Sequence, residues 1–396
     1  MPGIHLRHSA WLVIVAACSS NPAPEQPATD LHALEAYEGR AKQIEDQHIG
    51  FLVNFFGRPA VPGEPLLRGT HAVGTCIAAD LEIVDIKANP ALPDELAVGV
   101  FAEPRSFDAR VRFSNGLGTP ADPNKGFDDR DYDARAMAIQ IEGPEGQRQD
   151  FVLQNSPIFP IWPVQGFALA VQSGIAKAQG REQAFMAELP SDQRTMLLNV
   201  LEHVEQYQRY PGVVVPTFTP MPDAYRLETY WSGKAHQLGV DGMPVKYIAK
   251  PCNSNGIYVP TKAVEFADRR ADFLQQELQR HIDNPVEVER AACFDFYVQP
   301  LNADVMTGPD GQTLPETEHW QWVENTMLEW KESEAPAYRV GKITLAGPVL
   351  PPADCDDPEH FINSSINTLP EHEGLGRISR AEKVAARASI DRRTLQ

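Results

Sequence analysis

The stretch "LRGTHAVGTCIAADLEI", residues 67–83, places one histidine directly before a segment with the composition of a β-strand. Apolar side chains dominate the second half of the stretch, which is typical of a partly buried strand. His71 stands at the start of that strand, shortly after the basic Arg68. Alone, it is compatible with a core histidine, a metal ligand or a catalytic base. Its role therefore depends on what else the chain contains.

Short apolar runs continue after His71 as far as residue 161, separated by turn residues. Because these runs are rich in Val, Ile and Phe, they predict strands, at residues 80–86, 96–101, 109–115, 135–143 and 150–155. The same signals predict later strands at 224–233, 244–251, 292–301 and 338–347, and helices at 31–58, 164–179, 191–210, 263–283 and 379–393. With no internal repeat or linker, residues 31–396 predict a single α+β domain with an antiparallel sheet or barrel.

The composition fits a folded acidic protein. The chain has 396 residues, of which 42% are hydrophobic, enough for a sizeable core. It carries 35 Lys and Arg against 54 Asp and Glu, a net charge of −19. No basic patch suited to a phosphate backbone is present, so nucleic acid is not expected as a partner. The acidic excess favours solubility instead.

The N-terminus has the organisation of a bacterial lipoprotein signal. A basic start precedes an apolar run, residues 10–17, which is shorter than the roughly 20 residues that span a bilayer. The sequence "VAAC", residues 15–18, resembles a lipobox, in which the cysteine is acylated and becomes the mature N-terminus. The alternative is a misassigned start codon before a cytosolic protein.

We therefore expect a signal peptide at residues 1–17 and a flexible Ser- and Pro-containing tether at 18–30. Cys18 would carry the lipid, so the membrane is a partner through this anchor only. Ser19 favours the outer membrane of a two-membrane bacterium, with the domain facing the periplasm. In such an oxidising compartment the other four cysteines are expected to form two disulfides, with three pairings open. These are Cys76, Cys252, Cys293 and Cys355.

Five stretches occur in an order that resembles the haem catalases, and more closely the small catalase-related proteins that keep only the barrel core. They are "RGTH" at 68–71, "VRFS" at 111–114, "DARAMAI" at 133–139, "DFVLQNSPIF" at 150–159 and "NTLPEHEGLGRISRA" at 367–381. The resemblance covers roughly residues 60–390. It implies a catalase-like antiparallel β-barrel core with surrounding helices, haem b as cofactor, and hydrogen peroxide or an organic hydroperoxide as substrate.

The resemblance also implies a set of site residues. His71 matches the distal histidine, which takes a proton from one peroxide oxygen and returns it to the other, as an imidazole can near neutral pH. Asn155 matches the amide that orients the peroxide. Arg112 matches the arginine that pairs with a haem propionate, Ser114 the serine that hydrogen-bonds the histidine, and Phe159 an aromatic wall of the pocket.

One part of the pattern is missing. The family holds the iron from the other face with a tyrosinate, preceded by an arginine one helical turn earlier. An ungapped alignment puts Glu382 at the arginine position and Ala386 at the tyrosine position, and no tyrosine follows Tyr338. Ala136 also replaces the usual glycine. The axial ligand is thus open, with His372 as a candidate substitute that is better explained as structural.

Two functions remain open at this point. The first is a haem-dependent catalase- or peroxidase-type enzyme of the bacterial envelope, with a degenerate proximal haem site. The second is a non-enzymatic catalase-fold lipoprotein with a binding or structural role. The missing tyrosine favours the second function, because a phenolate is an anionic, strongly donating ligand and alanine supplies no donor.

Overall fold

The computed structural model describes residues 40–56, 71–116, 128–130, 134–143, 146–159, 161–209, 228–240, 242–252, 270–283, 292–350, 355 and 366–394. Its nine strands are β1 Gly74–Ile83, β2 Arg105–Asn115, β3 Arg135–Glu142, β4 Arg148–Gln154, β5 Tyr230–Trp231, β6 His236–Leu238, β7 Met243–Pro251, β8 Cys293–Pro300 and β9 Tyr338–Leu350. Its seven helices are α1 Arg40–Phe56, α2 Val164–Ala178, α3 Glu182–Glu188, α4 Ser191–Arg209, α5 Phe273–Asp283, α6 Gln321–Glu324 and α7 Gly376–Thr394. The predicted α+β class is confirmed.

The strands form one antiparallel sheet that closes into a barrel. Their order is β5-β4-β3-β2-β1-β9-β8-β7-β6, and β5 also pairs with β7. Eight strands therefore close the ring, and β6 lies outside it beside β7. The ring closes through the short β5, which pairs with β4 at Gln154 and with β7 at Ile248 and Ala249.

Alternation along the strands separates an apolar interior from a mixed outer face. The interior is filled by side chains such as Ile77, Leu81, Val111, Phe113, Met137, Ile139, Phe151, Phe294 and Phe296. In β2, Val111 and Phe113 point inward, so Arg112 and Ser114 lie on the outer face. The candidate site residues of β2 are thus on the outside of the barrel, close to where the strand ends.

Three helices pack together against the outside of the barrel. α1, α2 and α7 share one buried apolar cluster, formed by Ile49, Leu52, Val164, Ala168, Ile378 and Ala381. The surrounding helices predicted from the sequence are therefore present. Among the described residues, no helix is both long and apolar enough to cross a bilayer.

The strand predicted at residues 96–101 is wrong. This run forms two short 3-10 turns, Asp94–Leu96 and Gly99–Phe101. Gly99 has a φ of 56°, and the bend lets the N–H of Val100 donate to Nε2 of His372 at 2.9 Å. The run is buried like a strand, and periodicity alone does not distinguish a short buried strand from a buried turn.

The structure selects one of the three disulfide pairings. Cys76 of β1 is bonded to Cys355, which follows β9, and Cys252 after β7 is bonded to Cys293 of β8. The Cα–Cα distances are 5.3 and 5.5 Å, within the usual range for disulfides. Cys76 lies on the outer face of the barrel, opposite Arg112 of the neighbouring strand.

Candidate functional site

His71 is held in an unusual backbone conformation by three contacts. Its φ is 54°, the only positive φ of a non-glycine residue among those described. Its N–H donates to the carbonyl of Gly116 at 2.9 Å, and Nδ1 lies 3.1 Å from Oγ of Ser114. Its carbonyl accepts a hydrogen bond from Nη2 of Arg112 at 3.0 Å. The left-handed region costs a non-glycine residue about 1–2 kcal/mol, and such strain clusters at functional sites.

Arg112 reaches His71 across Gly74, which has no side chain to block it. Gly74 pairs with Ser114 across the strands. A Cβ at Gly74 would lie 2.6 Å from Cζ of Arg112 and 2.6 Å from the carbonyl oxygen of Phe113. The missing side chain therefore leaves room for the guanidinium, which is only 3% exposed. The role that the resemblance implies for Arg112, pairing with a propionate, stays a prediction.

Asn155 is fully buried directly after β4. Its Oδ1 accepts a hydrogen bond from the backbone N–H of Arg135, and its own N–H donates to the carbonyl of Arg135, both at 2.8 Å. These two bonds fix the carboxamide orientation. Nδ2, by contrast, has no hydrogen-bond partner in the described part of the chain. Nδ2 of Asn155 is therefore a buried, oriented donor that can bond an acceptor on a ligand.

The sheet brings the two halves of the site to the same end of the barrel. Asn115, one residue after the Ser114 that contacts His71, pairs with Arg135 at the start of β3. Arg135 in turn holds Asn155. β2 ends, β3 begins and β4 ends at this edge, so His71, which contacts Ser114 of β2, and Asn155, which follows β4, lie at the same end of the barrel.

Phe159 occupies a different neighbourhood from His71. Its ring packs edge-on against Phe167 of α2, with centroids 5.8 Å apart, within the cluster shared by α1, α2 and α7. Its N–H donates to the carbonyl of Thr326 at 3.1 Å. Nζ of Lys234 lies 5.9 Å from the centre of its ring. Phe159 thus connects the end of β4 to α2.

α7 carries an ion pair where the resemblance implies an arginine. Glu382 pairs with Lys234, the same lysine that lies over Phe159. Burial lowers the pKa of Lys234 to about 8, and a carboxylate beside it favours the charged amine, so Lys234 is protonated at neutral pH. Ala386, one turn further along α7, is half-buried. Neither position offers the donor atom of a tyrosinate.

His372 is a structural residue of the barrel interior. It is fully buried, and Nε2 accepts a hydrogen bond from the N–H of Val100. Nδ1 lies 2.8 Å from Oη of Tyr247. Burial lowers the pKa of His372 to about 3, so the ring is neutral and Nδ1–H donates to Tyr247. With both nitrogens used, His372 is not available as a haem ligand.

Some predicted features lie outside the described residues, and some features were missed. Cys18 and Arg68 are among the residues that the structure does not describe. In the part that it does describe, no three His, Cys, Asp or Glu side chains cluster as metal ligands would. The sequence alone does not reveal the positive φ of His71 or the hydrogen bonds between Arg135 and Asn155. Both depend on strand ends that meet only in the closed barrel.

The comparisons identify the fold. No family model matches the sequence, and no curated protein matches it. A fungal catalase is 18% identical with a TM-score of 0.55, over 83% of this chain and 58% of its own. Catalase A from Saccharomyces cerevisiae is 18% identical with a TM-score of 0.54, over 83% of this chain and 60% of its own. A bacterial catalase is 16% identical with a TM-score of 0.51, over 96% of this chain and 66% of its own.

The fold is therefore catalase-like, as the ordered motifs predicted. The chain spans only 58–66% of the length of these catalases. At such low identity the likeness shows the fold alone, and function has to be argued from the site.

Proposed function

We propose that this protein binds small hydroperoxides at the end of a catalase-like barrel where β2 and β4 end, with His71 as proton acceptor and Asn155 as hydrogen-bond donor. The observation that carries the proposal is the buried Nδ2 of Asn155, which has no partner among the described residues. An unpaired buried donor costs about 1–3 kcal/mol. A ligand oxygen at this place removes that cost.

The donors and acceptors match a hydroperoxide. Such a molecule has one O–H donor and lone pairs on both oxygens, so it needs an acceptor and a donor from the protein. When Nδ1 of His71 carries the proton and donates to Ser114, which lies 3.1 Å away, Nε2 is the nitrogen that carries the lone pair and can accept the peroxide proton. Nδ2 of Asn155 donates to an oxygen of the same molecule. The imidazole can then return the proton to either oxygen.

The side chains fit haem on the distal side, where His71 lies, but not on the side of α7. His71, Ser114 and Arg112 match what the resemblance implies for the distal side. On α7, Ala386 has no donor atom and Glu382 is paired with Lys234. Haem supplies redox chemistry only when its iron is held and tuned by an axial ligand. The residues of α7 do not fit haem b, so we propose that the protein does not dismute peroxide at catalase rates.

A slow haem-dependent peroxidase is the second candidate. The contact between His71 and Ser114 favours it, because this pair is what the resemblance implies for acid–base chemistry on a peroxide. Any turnover of this kind requires an axial ligand from outside α7. The absorption spectrum of the purified protein, with and without added haemin, distinguishes the two functions.

A titration with tert-butyl hydroperoxide tests hydroperoxide binding directly. We expect Asn155→Leu to raise the Kd about tenfold, the equivalent of one lost hydrogen bond of about 1.4 kcal/mol. His71→Asn should weaken binding as well, and it suits the positive φ because Asn tolerates that region. Asn89→Leu, at an exposed loop position, is the matched control. Unchanged binding in both site variants would overturn the proposal.

We also propose that the protein is a lipoprotein of the bacterial envelope, anchored through Cys18 to the outer membrane and facing the periplasm. The two disulfides support an oxidising compartment, because disulfides are rare in the cytosol. Cys18→Ser, or globomycin treatment, should cause unprocessed precursor to accumulate. Untreated protein that is soluble and retains Met1 would contradict the anchor.

A further inference from the structure

A buried carboxylate outside the proposed site connects that site to α5. Asp129 is 4% exposed, and its two carboxylate oxygens accept hydrogen bonds from two different elements, β2 and α5. Oδ1 accepts a hydrogen bond from Nδ2 of Asn115 at 2.7 Å, and Oδ2 accepts one from the N–H of Leu274 at 2.9 Å. The backbone carbonyl of Asp129 accepts a third, from Nη2 of Arg135 at 3.0 Å.

The residues bonded to Asp129 adjoin both halves of the site. Asn115 lies between the two residues that contact His71 through a hydroxyl and a carbonyl. Arg135, fully buried, exchanges two hydrogen bonds with Asn155. A displacement of Asp129 would therefore reach His71 along one path and Asn155 along the other.

Helix capping explains only part of this arrangement. Leu274 is in the first turn of α5, where backbone N–H groups lack intrahelical partners and a carboxylate is favourable. Capping does not require the second oxygen to face Asn115, nor the carbonyl to face Arg135. Burial raises the pKa of Asp129, and the hydrogen bond from Asn115 opposes that shift. The hydrogen bonds from Asn115 and Leu274, together with the charge of Arg135, thus oppose the effect of desolvating the carboxylate.

We propose that Asp129 is a positioning residue for the hydroperoxide site. It acts on His71 through Asn115, and on Asn155 through Arg135. The inference rests on the proposed function for the identity of the ligand, whereas the alignment of Asn155 can be measured without any ligand. In this role Asp129 connects the site to α5. α5 therefore helps to hold the site in shape, although it contributes no residue to it.

The test begins with Asp129→Asn, which keeps the size but replaces one acceptor with an NH₂ donor. With Asn115 oriented as in the structure, that donor faces either Nδ2 of Asn115 or the N–H of Leu274, and both of these groups are donors. In protein labelled with ¹⁵N-asparagine, the side-chain NH₂ signals of Asn155 should shift or broaden, with Asn155→Leu identifying them. The Kd for tert-butyl hydroperoxide should rise about tenfold.

A double variant provides the rescue. In Asp129→Asn/Asn115→Asp the amide at position 129 can donate to the carboxylate at position 115, while its oxygen accepts from the N–H of Leu274. The signals of Asn155 and the Kd should return toward those of the wild type. Asp272→Asn is the control, because Asp272 is near the same helix start, is bonded to Arg270 and is half-exposed.

The outcomes separate the inference from the proposed function. All variants are compared well below the lowest unfolding midpoint. If Asp129→Asn lowers only the midpoint and leaves the Asn155 signals and the Kd unchanged, Asp129 is a cap and the inference is overturned. If the wild type binds no hydroperoxide, the proposed function fails, and a shift of the Asn155 signals that the double variant reverses still supports the positioning role.

Discussion

At the scale of single residues, His372 shows how a side chain that resembles a ligand in sequence can be fully used by the core. Its two ring nitrogens join the turn at Gly99–Phe101 to β7 through Val100 and Tyr247. Its ring also lies edge-on to Phe101, with centroids 5.3 Å apart. His372 therefore links this turn to β7 inside the barrel.

His372→Leu should lower the free energy of unfolding by about 2–5 kcal/mol, because it leaves the N–H of Val100 and the hydroxyl of Tyr247 buried without partners, at about 1–3 kcal/mol each. Tyr247→Phe breaks one of these bonds and leaves Nδ1–H of His372 buried without an acceptor, so its effect should be about 1–3 kcal/mol. Urea unfolding measures both. A loss below 0.5 kcal/mol (roughly the size of a neutral surface substitution) for His372→Leu would contradict this role.

Two buried histidines make the fold sensitive to acid. Burial lowers the pKa of His372 to about 3, and burial together with the charge of Lys234 lowers that of His236 to about 3. Below a pH of about 6.5 these two histidines are protonated in the unfolded chain but stay neutral in the folded chain. Stability should therefore fall between about pH 6.5 and 3, by up to about 1.4 kcal/mol per pH unit for each histidine.

Urea unfolding at several pH values between 7 and 4 tests this dependence. His236→Phe should reduce the slope by up to about 1.4 kcal/mol per pH unit and change little above pH 7. His319→Phe is the comparison, since His319 lies in the surface segment bonded to Leu314. If the slope of His236→Phe equals that of the wild type, His236 is not neutral in the folded state.

At the scale of elements, the contact between β1 and β2 determines whether His71 can be held. Gly74→Ala places a methyl group 2.6 Å from both Cζ of Arg112 and the carbonyl of Phe113. Overpacking of this kind costs about 1–3 kcal/mol. The guanidinium should move away from the carbonyl of His71, so hydroperoxide binding should weaken as stability falls.

Gly174→Ala gives the opposite result and serves as the control. A Cβ at Gly174 of α2 meets nothing within 4 Å, and alanine is favoured over glycine in a helix by up to about 1 kcal/mol. Thermal unfolding should therefore show a lower midpoint for Gly74→Ala and a higher one for Gly174→Ala. Equal midpoints would mean that β1 and β2 can separate without cost.

The elements also show what the sequence can predict. Strands at 109–115, 135–143 and 150–155 were predicted correctly, because Val, Ile and Phe alternate there with outward-facing side chains. The run at 96–101 was wrongly predicted as a strand, because its turn conformation depends on a hydrogen bond to His372, some 270 residues away. Of the strand predicted at 224–233, the described residues form only Tyr230–Trp231.

The same limit applies to the site. The contact of His71 with Ser114 was expected from the ordered motifs and is confirmed. The link from Asp129 to Leu274 spans 145 residues and leaves no local pattern, because it forms only when α5 docks on the barrel. The left-handed backbone of His71 is equally invisible in sequence, where such a conformation predicts glycine or asparagine.

At the scale of the whole molecule, the barrel is catalase-like, whereas α7 carries neither the tyrosine nor the arginine that the resemblance implies. Its apolar face packs with α1 and α2, and Glu382 pairs with Lys234 beside Phe159. The central claim is that this molecule keeps the distal half of a catalase-like site and lacks the side chain that would hold iron from α7.

Placing a tyrosine at position 386 of α7 gives a companion experiment. Ala386→Tyr introduces a phenol at a half-buried position of α7, and Arg387→Tyr introduces the same group at the next, exposed position. When haemin is added, Ala386→Tyr should bind it more tightly than the wild type, whereas Arg387→Tyr should not. Equal affinities in all three proteins would show that position 386 of α7 does not contact bound haem.

Oxygen release after hydrogen peroxide is added to the haemin-treated full-length protein tests the central claim most directly. We predict release no faster than that of the same haemin mixed with an unrelated protein, because α7 supplies no anionic ligand to support cleavage of the O–O bond. Rapid haem-dependent release that is abolished by His71→Asn would contradict the claim, and would require an axial ligand from another part of the chain.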